Sequence, residues 1–151
     1  MTIPLEPKRM RELIAAGHPG RGTVISNFIM CCLPSRDEAY ELARAPTNGH
    51  LQGLAGAAAE WLKGASTKEY PGYDRMIAQI SKETFEDQIT KGVGLVGTPV
   101  DVIDMVRNYA GEVGGFESAS LHVLPSTMPA DVAERALRHF ASEAMPKLAA
   151  L

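Results

Sequence analysis

The chain has 151 residues, of which 45% are hydrophobic and 22% charged, and its formal net charge is -3. That balance is ordinary for a globular chain and excludes wholesale disorder. Lys and Arg are scattered, with no basic run longer than Lys8-Arg9, so neither nucleic acid nor an anionic membrane surface is an expected partner. No stretch approaches the roughly 20 apolar residues of a membrane span, and the opening MTIPLEPKRM has no signal-peptide core. A cytoplasmic location is the expectation.

The residues from Glu6 to Ala16 read as a helix: Pro7 suits its first turn, Met10, Leu13 and Ile14 form one stripe, and Gly17 stops it. HPGRG, from His18 to Gly22, is then a turn. Val24 to Leu33 is apolar on both faces apart from Ser26 and Asn27, the pattern of a parallel strand covered on both sides. Its adjacent cysteines, Cys31 and Cys32, point to opposite faces and are expected to be buried reduced thiols. Ser35 with Glu38 has the spacing of a capping box, which launches a helix expected to end at Pro46. A second helix is expected from about Asn48 to Lys63, with Leu51, Leu54, Ala55, Ala58 and Leu62 at helical spacing.

The section from Gly64 to Lys91 has the weakest periodicity. It reads as an excursion within one 1–151 domain, an insertion or lid with one or two short helices between Met76 and Thr90. From Val93 the regular pattern resumes with a short strand to Val96. Thr98 then caps a helix that has Pro99 at its first position and Asp101 at its third, with Val102, Ile103, Val106 and Tyr109 on the buried face. Ser118 to Leu124 is the next strand. In the last helix, Ala133, Ala136, Leu137, Phe140, Ala141, Ala144, Met145 and Leu148 fall on one face, and Glu134 pairs with Arg138 outside. The alternation predicts three βα units and a parallel sheet with helical crossovers.

In GVGLVG, Gly92, Gly94 and Gly97 match G-x-G-x-x-G. A dinucleotide fingerprint needs a strand leading into the first glycine and an acidic residue at the end of the next strand, and neither is present. These glycines instead suit a tight strand entry and a strand-to-helix turn. The four histidines, His18, His50, His122 and His139, have no metal-ligand spacing, so no metal centre is expected. His122 is expected to be buried with a satisfied hydrogen bond. The chain has no G-x-S-x-G, P-loop or H-E-x-x-H motif.

GTPVDVIDMVRNYA from Gly97, FESASLHV from Phe116 and the closing helix to SEAMPKL resemble the C-terminus of bacterial luciferase-like, flavin-dependent monooxygenases. TVISNFIMCCLPSRDEAYELA resembles the family less closely, and its turn LPSRDE replaces the family's acidic-Thr-acidic turn. The resemblance implies the C-terminal part of a (β/α)8 barrel, with Val24–Leu33, Val93–Val96 and Ser118–Leu124 as its sixth, seventh and eighth strands. It implies FMN, or the deazaflavin F420, with O2 and a small organic substrate, and it places Cys31, Gly97 and His122 on the pocket wall.

A closed barrel needs about 250 residues. The flavin-binding strands of the family would therefore lie outside this chain, and no catalytic residue is carried over to it. Open sheet edges favour a homodimer or a complementary barrel fragment as partner. A non-catalytic, self-associating α/β module is the competing expectation.

Overall fold

The computed structural model describes residues 25–62, 72–123 and 126–149. The expected helix from Glu6 to Ala16 and the turn at His18–Gly22 lie outside the described residues. Strand β1 spans Ile25–Cys32, β2 spans Gly94–Gly97 and β3 spans Ser118–His122. All pairing is parallel, in the order β2-β1-β3. The expected α/β architecture with parallel strands is thus present as an open three-stranded sheet.

Strand β1 takes the centre because it is the longest strand and is buried along nearly all its length. Consecutive strands of a barrel pair in chain order, whereas here β3 lies against β1 and not against β2. The two flanking strands differ sharply. All four residues of β2 are buried, but Ser118, Ala119 and Ser120 of β3 are exposed, so β3 forms an open edge.

Helices cover both faces of the sheet. Alternate residues of a strand point to opposite sides. Cys31 and Leu33 pack with Val96, Phe85 and Ala136 on one face, while Phe28, Met30 and Cys32 pack with Leu95, Val102 and Tyr109 on the other. The rings of Phe28 and Tyr109 meet edge-on with centroids 5.0 Å apart.

Helix α1, Arg36–Leu62, runs through Pro46 without ending there, which corrects the expected break and second helix. A proline inside a helix removes one backbone donor and strains the preceding turn, but it does not prevent continuation where tertiary burial holds both halves. Pro46 and Thr47 are both buried, and so are Ala43, Leu51 and Ala55 on either side of them.

Helices α2, Tyr73–Ile80, and α3, Phe85–Thr90, occupy the weakly periodic section. Thr84 and Asp87 form a full capping box at the start of α3. Phe85 is 1% exposed and belongs to the core, packed edge-on against Tyr40 at 5.4 Å. Its backbone N–H donates to Asn48 Oδ1 at 2.8 Å, so α3 is built into the domain.

Helix α4, Pro99–Val113, begins at a capping box of Thr98 and Asp101 and ends at Gly114, whose φ of 78° is the left-handed conformation that glycine adopts freely. Helix α5, Ala130–His139, passes through a π turn at Phe140–Ala144 into α6, Met145–Leu148. Pro146 explains the wider turn, because it has no N–H to donate and its ring crowds the carbonyl four residues back.

Ala136, Phe140 and Ala144 are buried in one column, while Leu137, before the π turn, and Met145, after it, lie outside, 45% and 53% exposed. Those two, with Ala141, depart from the expected buried face. Phe140 is buried against Phe28 and Met30, as expected. Glu134 and Arg138 pair at 2.8 Å on the outer face. Among the described residues no helix is long and apolar enough to cross a membrane.

Candidate functional site at the strand ends

The carboxyl ends of β1 and β2 stand side by side. Cys32 pairs in register with Gly97, and the Leu33 N–H donates to Gly97 O at 3.0 Å. Beyond this point the chain diverges: α1 packs on one face of the sheet and α4 on the other. In open α/β sheets that divergence opens the crevice in which ligands are most often held.

Gly97 is required where it stands. Its φ of 142° is unfavourable for a side chain, and a Cβ there would lie 2.8 Å from Asp101 Oδ2. Asp101 Oδ2 accepts from the Thr98 N–H at 2.9 Å and from the Thr98 hydroxyl at 2.8 Å. The Thr98 hydroxyl in turn accepts from the Asp101 N–H at 3.3 Å. Arg36, the first residue of α1, closes over the same carboxylate with Nε donating to Oδ2 at 3.0 Å and Nη2 to Oδ1.

The Arg36 guanidinium is the main reason the Asp101 carboxyl titrates well below the usual range, with the Thr98 donors adding to it and burial opposing it. The two partners differ in setting: the Asp101 side chain is 10% exposed and that of Arg36 62%. The Thr98 and Asp101 N–H groups are thus taken by the cap of α4, and Pro99 has none to offer.

Cys31 sits beside this crevice but faces the core, where it is fully buried among Leu33, Val96 and Ala136. Burial pushes the Cys31 and Cys32 thiols up to about 11, and both are free, as expected. Strand geometry thus makes Cys31 and Gly97 near neighbours. It does not bring His122 to them.

His122 ends β3 on the far side of β1, in register with Ile29. It is exposed, contrary to the expected buried histidine, because β3 is an edge with little packed over it. Its ring meets His50 of α1 edge-on, with centroids 5.6 Å apart. Burial, and secondarily His122, lowers the pKa of His50. His139 is part-buried, and its Nε2 has no hydrogen-bond partner among the described residues.

An open groove of about 490 Å³ lies elsewhere, on α2 and α3, lined by Arg75, Gln79, Lys82, Glu83, Asp87 and Lys91. Glu83 ties Lys91 at 2.5 Å and Gln88 at 2.6 Å, and Asp87 is committed to its cap. Among the described residues no group of three or more His, Cys, Asp or Glu is placed to hold a metal ion.

Sequence reasoning found Gly97, Thr98 and Asp101 as turn and cap. It missed Arg36 as the partner of Asp101 and His50 as the neighbour of His122. Both pairings are long-range, and no local spacing announces them.

No family model matches the chain, and no curated protein matches it. Among solved structures, the chain is similar to the monooxygenase RslO1 from Streptomyces bottropensis, with 20% sequence identity and a TM-score of 0.57. The likeness covers 93% of this chain and 37% of that one. The chain thus shares the fold of a little over a third of a monooxygenase.

Proposed function

We propose that the chain supplies the late-strand portion of a luciferase-like, flavin-dependent monooxygenase fold, a (β/α)8 barrel when complete, and that it does not catalyse alone. The observation that carries this reading is the match of 93% of the chain to a stretch of RslO1. In this reading Gly97 and His122 belong to the wall of a pocket that other strands complete, with Cys31 buried behind that wall. The reactants there are reduced FMN, or F420, with O2 and a small organic substrate.

The described residues do not fit a flavin by themselves. The Thr98 and Asp101 N–H groups at the start of α4 are taken by their own cap, Cys31 is sealed in the core, and Arg36 is bound to Asp101. No reaction step is assigned to them. The reading also requires β3 to pair with β2 once further strands are present, because barrel strands neighbour one another in chain order.

The test is a chimera in which residues 25–149 replace the matched stretch of RslO1. A soluble chimera that keeps the monooxygenase activity of RslO1 is expected, while the chain alone consumes no O2 with reduced FMN or reduced F420. A folded but inactive chimera, or O2 consumption by the chain alone, overturns the reading.

A second reading has its own support. Three exposed residues of β3, Ser118, Ala119 and Ser120, carry neither charge nor proline, the usual guards of a free edge. A non-catalytic module that self-associates along β3 would elute as a dimer, with those amides of 118–122 that point away from β1 protected from exchange only at high protein concentration.

A further inference from the structure

Helix α1 and strand β3 meet through two imidazoles. His50 is part-buried on α1, and His122 is exposed at the end of β3. Their ring centroids are 5.6 Å apart and the planes are inclined by 77°. Two imidazoles that share one tetrahedral cation, with metal–nitrogen bonds of ~2.0 Å, hold their ring centres roughly 5 Å apart. The observed spacing is close to that value.

Two further features hold the region together. Ser126, just after β3, has a φ of 52°, a left-handed conformation uncommon for serine. Its hydroxyl would lie 2.9 Å from a Cβ placed on Gly49. The glycine preceding His50 therefore lets the turn after β3 lie directly against α1. The neutral imidazole is the form that binds metals. Imidazole nitrogens favour zinc, copper and nickel over calcium or magnesium.

We propose that His50 and His122 form a two-imidazole clasp for a first-row divalent transition metal such as Zn2+, tying the open edge strand to α1. Water fills the remaining coordination positions, since no group of three or more ligating side chains occurs among the described residues. Among the described residues strand β3 pairs with β1 alone, so the metal gives it a second tether, to the helix. The clasp shares His122 with the pocket wall of the reading above, but it needs no flavin to bind a metal.

The test uses the full chain after chelator treatment, titrated with Zn2+ and with Cu2+. One equivalent binds, and His50→Ala or His122→Ala each weakens binding by at least about tenfold. His18→Ala and His139→Ala do not. The electron paramagnetic resonance of the Cu2+ form shows coupling to two nitrogens. Zn2+ slows amide exchange across 118–122 in the parent chain and not in the His122 variant. A chain that shows no saturable binding up to about millimolar metal, or whose binding survives His122→Ala unchanged, refutes the clasp and leaves the histidines as a ring contact only.

Discussion

Arg36 and Asp101 join the first residue of α1 to the first turn of α4 by two charge-assisted hydrogen bonds, across the point where the two helices part to opposite faces of the sheet. The same carboxylate caps α4. One side chain therefore fixes both connections that leave the carboxyl ends of β1 and β2.

Asp101→Asn should cost about 1 kcal/mol or more at neutral pH through loss of the cap and the ion pair. The sign of its pH dependence follows from the depressed folded-state pKa. A carboxylate of this kind stabilises fully above its unfolded pKa of about 3.9, and the contribution is lost as pH falls below that value. Urea midpoints at about pH 6 and pH 3 should show the variant and parent converging in acid. A gap that stays constant between the two would sink the assignment.

Thr47 is 0% exposed and its Oγ1 has no partner among the described residues. Thr47→Val removes the stranded hydroxyl at nearly constant volume and should stabilise by about 1 kcal/mol. Calorimetry should find Tm raised by roughly 2–4 °C. A fall in Tm would mean that the hydroxyl is satisfied, by water for instance.

Phe85 links α3 to the core through Tyr40 and Arg44, whose guanidinium carbon stands 5.4 Å from the ring centroid. Phe85→Ala should cost about 3–5 kcal/mol, against much less for Phe85→Leu. Denaturant unfolding of both variants checks this. A cost within about 0.5 kcal/mol for the alanine variant would show that α3 is a surface addition.

The thiols of Cys31 and Cys32, raised by burial to about 11, should be inert in the native chain. A chromogenic disulfide reagent at about pH 8 should titrate no thiol before denaturation and both after it. Rapid native labelling would mean that the sheet opens readily.

Where sequence pattern and structure agree, the cause is local. Thr98, Pro99 and Asp101 declare the start of α4 because cap, proline and acidic residue act within a single turn. The central strand was legible from its continuous apolar run. Pro46 misled because its local cost is opposed by burial of residues on both sides, which the residue type alone does not reveal. Met145 was misplaced because the π turn ahead of Pro146 re-phases the helix beyond it. The position of β1 between its partners, and the meeting of His50 with His122, depend on how distant segments assemble.

Strand order also has a kinetic meaning. β1 finds no partner near it in the chain, since both neighbours lie beyond α1 and its pairings are therefore distant in sequence. Pairings of that kind close slowly. During synthesis the segment Phe28–Leu33 emerges well before either strand that will flank it, as a bare apolar stretch with high β propensity. Yield of soluble chain should thus depend on how fast, and how dilute, that one segment is carried through to pairing.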